Sequence, residues 1–327
     1  MKKVACLALL LALVMGVAAH AAEFNLTIAH IVDEGNSWHK ASVFFKEEVE
    51  KRSGGRIAVT IYPNSQLGSE IDQIQSALTG GGVDIVITGE SMMTYIPELG
   101  ILGVPYLITS DEHMEKVAGG EIGKEIEKLM MMDGEGFRCL AYFIRGPRNV
   151  TSNKPVRTPD DMKGMIIRTP ASTITVATFE AFGAKPTPMA FSEVFTSLQS
   201  GTIQAQENPL AMIKTGNFYE VQKYLNKTEH LRTWIYFAIA ERTFQSLPAD
   251  LQKIVTEVGK EMQDYERKLF VEGEAKLADE LKAAGMTFIE DVDQAAFAAL
   301  ADSAMQKLMS GEYSYLKPLY EKIKAVK

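Results

Sequence analysis

Residues 57–88 read IAVTIYPNSQLGSEIDQIQSALTGGGVDIVIT, and this stretch decides the fold. Apolar side chains alternate with their neighbours over residues 57–62, which is the period of a β-strand. Between residues 71 and 78 they recur at three- and four-residue steps, which predicts a helix. Three glycines end that helix, and the apolar run 83–88 predicts another strand. This order of strands and helices indicates a mostly parallel sheet covered by helices, an α/β fold.

The same alternation continues on both sides of this stretch. Before it, residues 24–29 predict a strand, and Asn36 or Ser37 caps a helix that ends at residues 54–55. A second series begins near residue 137. It comprises predicted strands at residues 137–144, 165–167 and 202–205 and predicted helices at residues 172–182 and 191–199. We therefore expect two α/β units, with no sequence repeat relating them.

One unusually long helix is predicted between Pro248 and Gly285. Proline favours the first turn of a helix, and glycine favours the position after its end. The apolar stripe steps by four and three residues and then shifts to Leu277 and Leu281. Such a shift indicates that the helix changes its packing partner by crossing from one domain to the other. The alternative is a coiled-coil dimer helix, although that needs three to four sustained heptads.

The N-terminus has the three parts of a secretory signal peptide. Two lysines are followed by residues 4–19, which carry no charged side chain, and then by Ala19-His20-Ala21. The apolar run is short for a bilayer span, which needs about 20 residues, and small residues flank the predicted cleavage point. We expect residues 1–21 to be cleaved and the mature protein to be periplasmic. A membrane anchor is the alternative.

Composition and missing motifs favour a binding protein over an enzyme. The formal charge of −8 becomes −10 when the two lysines of residues 1–21 are removed, because this segment has no Asp or Glu. An acidic chain argues against a nucleic-acid partner. The mature chain would keep only Cys139, which excludes an internal disulfide. The sequence has no metal-ligand spacing, nucleophile elbow or phosphate loop, so we expect no catalytic residue, metal or cofactor.

The chemistry-bearing residues are concentrated between residues 145 and 210. They fall in the stretches RGPRNVTSN (145–153), DMKGMIIRTP (161–170), PTPMAFSEV (186–194) and QENPL (206–210). Arg168 ends a predicted strand, and ligands of open α/β sheets bind at the carboxyl ends of strands. A guanidinium there binds a carboxylate through two parallel hydrogen bonds, with a structural salt bridge as the alternative. Arg145 and Arg148 invite the same interpretation, although a loop position favours a solvated arginine.

At these stretches the sequence resembles the extracytoplasmic solute-binding proteins of TRAP transporters. The resemblance covers nearly the whole mature chain and includes YPNSQLG (62–68), GES (89–91), PY (105–106) and FYEVQ (218–222). It is especially close to the sialic-acid-binding members at residues 186–194 and 206–210. It implies two α/β domains that close around a ligand in a Venus-flytrap manner, with a long helix crossing both.

The resemblance also implies how the chain is divided and what it contacts. The predicted first domain comprises residues 22–145 and 234–273, and the second comprises residues 146–233 and 274–327. The implied ligand is a small carboxylate, and the implied partner is a two-part membrane permease driven by a sodium gradient. Members of the family are usually monomers, although a dimer through the long helix stays open.

The resemblance assigns site residues position by position. Arg168 matches the arginine that pairs with the ligand carboxylate, and Arg148 matches a second arginine near it. Asn208 matches an asparagine that contacts the same carboxylate. Phe191 matches an aromatic residue that packs on the ligand, with a core aromatic as the alternative. Glu90 matches a polar contact from the other domain.

Two positions depart from the sialic-acid-binding pattern. Ile31 stands where those proteins have an asparagine after the first strand, and Ile71 stands where they have an arginine early in the second helix. Both changes remove groups that would hydrogen-bond a polyol, which weakens a site built for hydroxyls. The sequence therefore predicts a more apolar N-terminal wall and argues against sialic acid. Ile71 also fits the core stripe of its own helix.

Trp38, His39, Met92 and Met93 fall in loops or helix starts that would line the same wall. Trp and Met offer flat or adaptable apolar contact, with ordinary packing as the alternative for each. The leading hypothesis is a receptor for a monocarboxylate with an apolar or aromatic body, such as an aromatic amino acid or an indole acid. A sugar acid of the uronate type is the second choice.

Two other classes of protein fit the same residues. A periplasmic enzyme acting on a small acid would bind it through Arg168 and use Glu90 or His39 as a general base. A sensory receptor would pass its ligand-bound state to a membrane kinase instead of a permease. Turnover of a bound acid would identify the enzyme, and neighbouring permease genes would identify the transport protein.

Overall fold

The computed structural model describes residues 21–326 and contains two β-sheets with helices around them. The strands are β1 (Phe24–Ala29), β2 (Ile57–Tyr62), β3 (Ile85–Thr88), β4 (Phe137–Ile144), β5 (Arg148–Ser152), β6 (Ile166–Thr169), β7 (Lys185–Pro188), β8 (Ala205–Asn208), β9 (Tyr224–Leu231), β10 (Trp234–Ala240) and β11 (Thr287–Ile289). The α-helices are α1 (Ser37–Arg52), α2 (Glu70–Thr79), α3 (Asp111–Ala118), α4 (Glu121–Met130), α5 (Thr173–Ala181), α6 (Val194–Gln199), α7 (Leu210–Thr215), α8 (Glu241–Ser246), α9 (Ala249–Ala283), α10 (Gln294–Met309) and α11 (Lys317–Ala325).

The first sheet has the order β2-β1-β3-β10-β4. Strand β1 is parallel to both β2 and β3, as the strand–helix–strand pattern around residues 57–88 predicts. Strand β10 lies antiparallel between β3 and β4, so the sheet is mixed and not mostly parallel as expected. The reason is topological: β10 returns to this sheet from far along the chain, and no local pattern encodes its direction.

The second sheet has the order β11-β9-β5-β8-β6-β7 and is also mixed. Strand β8 spans Ala205–Asn208, whereas the apolar pattern predicts residues 202–205. Gln206, Glu207 and Asn208 are all buried in β8 although they are polar. A search for apolar runs therefore ends the strand too early. The predicted strand at residues 165–167 ends too early for the same reason, because β6 continues past Ile167 through Arg168 to Thr169.

Helix α9 has 35 residues and packs on the cores of both sheets. Its first half places Val255 and Met262 in the apolar cluster beneath the first sheet. Its last turns place Leu277 and Leu281 against the core of the second sheet. The helix ends before Gly285, which has a left-handed φ of 101°. The predicted long helix and the shift in its apolar stripe are therefore confirmed.

The division of the chain into two domains with the residue ranges given above stays a prediction. Helix α11, the last helix, packs across that predicted boundary. Leu319 and Ile323 of α11 lie in the same core cluster as Ile126 of α4. The carbonyl oxygen of Ile323 is 3.1 Å from Nε2 of His113. Residues 317–325, which belong to the predicted second domain, thus pack on elements of the predicted first domain.

The predicted signal peptide lies, apart from its last residue, outside the described residues. Within residues 21–326, every helix is too short or too polar to cross a membrane.

Candidate ligand-binding site

A cavity of about 40 Å³ lies where strands of both sheets end. Thr88 closes β3, and Glu90 starts the 3-10 helix that follows it. Arg145 follows β4, and Asn208 ends β8. The carboxyl ends of strands are where open α/β sheets bind ligands. The lining residues are Ile31, Trp38, Glu70, Ile87, Thr88, Gly89, Glu90, Ser91, Arg145, Arg148, Arg168, Pro170, Phe191, Asn208, Met212 and Ile235.

Arg168 is a buried cation whose hydrogen-bond partner among residues 21–326 is a carbonyl group. Its Nε and Nη2 donate to the carbonyl oxygen of Met189 at 3.0 and 2.8 Å. No carboxylate of residues 21–326 forms an ion pair with it, and its Nη1 has no hydrogen-bond partner there. Burial lowers the pKa of Arg168 to about 10, against the attraction of Glu207. Because a buried charge without a counter-charge is costly, this guanidinium is suited to hold an anion.

Glu90 connects the other two arginines of the cavity. Its carboxylate accepts a hydrogen bond from Nη2 of Arg145 and lies 3.2 Å from Nη1 of Arg148. Burial by itself would raise the pKa of Glu90, but attraction to Arg145 and Arg148 outweighs it and leaves the pKa lowered. Glu90 follows strand β3 of the first sheet and Arg148 begins strand β5 of the second, so this ion pair connects the two sides of the cavity.

Arg148 has a second carboxylate partner on its other side. Its Nε and Nη2 lie 2.5 and 2.6 Å from the two carboxylate oxygens of Glu207. The same carboxylate is 3.0 Å from Nε2 of His230. Burial would raise the pKa of Glu207, but Arg148 holds it at about 2. Arg148 is therefore fixed between two anions, unlike Arg168.

A polar group of three side chains forms part of the N-terminal wall. The carboxyl group of Glu70 accepts hydrogen bonds from the hydroxyls of Thr88 at 2.5 Å and Ser91 at 3.0 Å. Burial raises the pKa of Glu70, which favours its neutral form. Ser69 caps α2 and fixes Glu70 in the first turn. The prediction of a mainly apolar N-terminal wall is therefore wrong on this side, because Glu70 and not Ile71 faces the cavity.

The structure brings most of the predicted site residues together. Those that line the cavity are Arg168, Arg148, Asn208, Phe191, Glu90, Trp38 and Ile31. The side-chain amide of Asn208 donates to Gln206 at 2.6 Å, and Trp38 is positioned by the Asn36 cap of α1.

Several predicted residues lie elsewhere. Nδ1 of His39 is 3.1 Å from Nε2 of His30, away from the cavity lining. Ile71 packs against the core beside the first sheet, because the helical period turns it away from Glu70. Met92 and Met93 are core residues of the same cluster. At these positions the structure therefore shows ordinary packing, which is the alternative to lining the cavity.

Some cavity residues escape the sequence argument. Arg145, which a loop position predicts to be solvated, is buried and directly follows β4. Arg145 directly follows a strand, and Thr88 ends β3. Because ligands of open α/β sheets bind at the carboxyl ends of strands, these positions are a signal in the sequence that could have identified both residues. Glu70 and Met212 carry no such signal, since each reaches the cavity from a helix whose orientation depends on the whole fold.

Comparison with known proteins gives matches over nearly the full chain. The DctP family model, described as "Bacterial extracellular solute-binding protein, family 7", matches residues 28–312. A solved TRAP periplasmic solute binding protein of Roseobacter denitrificans OCh 114 with bound L-galactonate is 46% identical. It superposes with a TM-score of 0.87 and covers 93% of this chain and 99% of that chain.

Two further matches are more distant. A TRAP periplasmic solute binding protein of Sulfitobacter sp. NAS-14.1, solved with bound β-D-galacturonate, is 27% identical with a TM-score of 0.88, over 92% of this chain and 99% of that chain. The 2,3-diketo-L-gulonate-binding periplasmic protein YiaO of Escherichia coli K12 is 34% identical over 275 residues, 84% of this chain and 83% of that protein.

These relatives are solute-binding proteins and not enzymes, which removes the periplasmic enzyme from the candidate classes. The resemblance seen in the sequence is confirmed by the family model and by the superposed structures. The chain therefore belongs to the DctP family of bacterial extracellular solute-binding proteins, which serve TRAP transporters.

Proposed function

We propose that this protein captures a sugar acid, an aldonate or a uronate, and holds its carboxylate on Arg168. The observation that carries the proposal is that Arg168 is buried at the cavity and lacks an ion-pair partner among residues 21–326. A ligand carboxylate would supply the missing negative charge through charge-assisted hydrogen bonds. Asn208, also on the cavity wall, would contact the same carboxylate.

The polar side of the cavity supports a ligand body with hydroxyl groups. Glu70, Thr88 and Ser91 are hydrogen-bonding groups on the lining. A site with such groups discriminates strongly against an analogue that lacks the matching hydroxyls. An aromatic or indole acid would offer these groups no hydroxyl partner, so the second choice from the sequence replaces the first. The sugar acids bound to the solved relatives support the same choice.

The apolar side of the cavity would contact the carbon skeleton of the sugar. Trp38, Phe191 and Ile31 lie on the lining, and aromatic faces pack well against C–H groups. Closure of the two halves around the ligand would bury it, as hinge-closing binding proteins do. Cavity residues from both sheets then contact one molecule.

The biological role follows from the family. We propose that residues 1–21 are removed on export, that the mature protein is a periplasmic monomer, and that it delivers its ligand to a TRAP permease. Intact-mass measurement of protein secreted to the periplasm tests the first point. A mass that includes residues 1–21 would exclude cleavage after Ala21.

A thermal-shift panel tests the ligand class. The panel holds L-galactonate, D-galacturonate and D-glucuronate, with indole-3-acetate as the aromatic acid and D-galactose as a matched sugar without a carboxylate. A ligand that binds only the folded protein raises its melting temperature. We expect at least one sugar acid to stabilise the protein while indole-3-acetate and galactose do not. Stabilisation by indole-3-acetate alone would refute the sugar-acid proposal.

A further inference from the structure

We propose that Glu90 is a charge filter that makes the site selective for acids with one carboxylate. By occupying Arg145 and Arg148, it leaves Arg168 as the one guanidinium of the described cavity that is open to an anion. The site therefore accepts monoacids of sugars and rejects the corresponding diacids. This inference rests on the proposed function and names the substrate class of the same site.

The first step of the argument is the number of cations at the cavity. Three arginines line a space of only about 40 Å³, namely Arg145, Arg148 and Arg168. All three are buried, with exposed fractions of 7%, 3% and 4%. A cavity with three uncompensated guanidinium groups would attract two carboxylates as readily as one, because opposite charges interact strongly where water is excluded.

The second step is how these cations are compensated. Arg145 has Glu90 as its ion-pair partner, and its Nε has no hydrogen-bond partner in the described part of the chain. Arg148 is paired with Glu90 on one side and with Glu207 on the other. The carboxylate of Glu207 also lies 3.0 Å from Nε2 of His230. Removal of the Glu90 charge would thus leave Arg145 without its ion-pair partner and Arg148 with Glu207 as its remaining partner.

The third step is that Glu90 is held in place. It follows Gly89, where a Cβ atom would lie 2.9 Å from Cγ2 of Ile235 and 3.3 Å from the carbonyl oxygen of Trp234. The backbone therefore passes close to β10 and has little room to withdraw. Glu90 itself is buried to 96%, since only 4% of it is exposed. A second ligand carboxylate would have to displace a fixed anion and would face its repulsion.

The alternative role of Glu90 is a hydrogen bond to a ligand hydroxyl. Loss of such a bond to a hydroxyl on C2 to C5 would weaken a six-carbon monoacid and its diacid alike, because the two acids differ only at C6. Loss of a charge filter would change the ratio of the two affinities. This ratio is therefore the quantity to measure.

The experiment compares L-galactonate with galactarate, its six-carbon analogue with a second carboxylate, by titration calorimetry. The variant is Glu90→Gln, which keeps the shape and removes the charge. The matched control is Glu241→Gln, because Glu241 is also a buried carboxylate paired with an arginine, Arg138, but away from the cavity. We expect wild type and control to prefer the monoacid by about 100-fold or more, and Glu90→Gln to reduce this preference at least about 10-fold.

A double variant checks the mechanism. Glu90→Gln with Arg145→Gln removes both partners of the ion pair and should restore discrimination toward the wild-type ratio. If Glu90→Gln is too unstable for calorimetry, its melting temperature becomes the readout, and the difference between the shifts with galactonate and with galactarate must then be smaller than in Glu241→Gln.

The outcomes separate the two proposals. If the wild type binds no sugar acid, the proposed function fails. If the wild type binds galactonate and Glu90→Gln has the same ratio of affinities as Glu241→Gln, only the filter is overturned. Equal binding of both acids by the wild type also overturns it.

Discussion

At the scale of single residues, the proposed binding of a carboxylate depends on Arg168. It is buried in β6, and its guanidinium is fixed by the Met189 carbonyl while Nη1 stays available to the cavity. The β6 backbone and this carbonyl orient the group before a ligand arrives. Preorganisation of this kind favours binding because less conformational entropy is lost.

Replacement of Arg168 by Gln should abolish most ligand affinity. Loss of one partner from a buried, hydrogen-bonded charge pair costs about 2–5 kcal/mol, which corresponds to roughly thirty- to several-thousand-fold in Kd. Titration calorimetry with the best sugar acid from the panel measures this. The control is Arg157→Gln, because Arg157 is an exposed arginine paired with Asp291. An affinity of Arg168→Gln within threefold of wild type would remove Arg168 from the site.

The sequence predicts this residue well because it combines a strand end, a cationic side chain and a family motif. It predicts Ile71 badly, because an alignment position does not say which of two adjacent helical residues faces a cavity. Glu70 and Ile71 are neighbours in the chain, yet one lines the cavity and the other enters the core. That choice depends on the rotation of α2 about its axis, which tertiary packing determines.

At the scale of secondary-structure elements, helix α9 contains an unusual buried acid. Glu266 is fully buried, and one oxygen accepts a hydrogen bond from Ser37 at 2.7 Å. Its other oxygen has no hydrogen-bond partner among the described residues. Burial raises the pKa of Glu266 to about 8 from 4.5. The helix therefore carries a neutral carboxyl group at neutral pH.

This group should make the protein less stable as the pH rises. Between pH 4.5 and about 8 the folded protein keeps the Glu266 proton while the unfolded chain loses it. The unfolded state then binds fewer protons, so the free energy of unfolding falls with rising pH and this contribution is lost above pH 8. Glu266→Gln removes the ionisable group and should remove this part of the pH dependence.

Melting temperatures at pH 5 and pH 8 measure the effect. We expect Glu266→Gln to gain at least about 4 °C more at pH 8 than at pH 5, since about 1 kcal/mol shifts a large domain by roughly 2–4 °C. Glu272→Gln is the control, because Glu272 is an exposed acid on the same helix. An equal gain at both pH values would show that Glu266 does not carry a raised pKa.

Two glycines of α9 should respond in opposite ways to alanine. A Cβ at Gly259 would lie 2.7 Å from the carbonyl oxygen of Leu140 in β4, and backbone cannot yield easily. A Cβ at Gly273 would meet nothing within 4 Å. We expect Gly259→Ala to cost about 1–3 kcal/mol by overpacking, and Gly273→Ala to stabilise by about 0.5–1 kcal/mol through helix propensity. Thermal melts measure both effects. A change of the melting temperature in the same direction for both variants would contradict the packing of α9 on β4.

Elements with a regular apolar period are predictable, and those without one are not. Residues 24–29 and 57–62 are strands as predicted, and the long helix begins and ends within two residues of Pro248 and Gly285. The predicted position of strand β8 is displaced because three of its buried side chains are polar. One of them, Asn208, lines the cavity, so a proposed site residue helps to conceal its strand from a search for apolar runs.

At the scale of the whole molecule, the two sheets meet at a cavity that is smaller than typical small-molecule sites. Binding sites for small molecules are typically about 300–1,000 Å³, whereas this cavity measures about 40 Å³. The Glu90–Arg148 ion pair joins the two sheets across it. We therefore expect the halves to separate to admit a ligand, and a ligand that favours the closed form to shift the population toward it.

Small-angle X-ray scattering with and without ligand tests this motion. We expect the radius of gyration of the ligand-free protein to decrease when the best sugar acid saturates it, and the saturated curve to fit this structure better. Arg168→Gln at the same ligand concentration should keep the larger value, because it does not bind the ligand, and this controls for an effect of the solution. Identical curves for the wild type with and without ligand would contradict closure.

The global arrangement is only partly contained in local sequence. Alternating strands and helices predict the α/β class, and the family resemblance predicts the two-part architecture. The antiparallel direction of β10 and the packing of α11 on α4 depend on contacts between distant parts of the chain. Periodicity describes which face of an element is apolar, but not which distant element will cover it.

The most direct test of the central claim is a crystal structure of the complex with L-galactonate or with the sugar acid that stabilises the protein most. The account predicts a carboxylate within about 3 Å of the Arg168 guanidinium, hydroxyl groups toward Glu70, Thr88 and Ser91, and an intact Glu90 bridge between Arg145 and Arg148. A carboxylate bound to Arg145 or Arg148 in place of Glu90, with Arg168 still bonded only to the Met189 carbonyl, would contradict it.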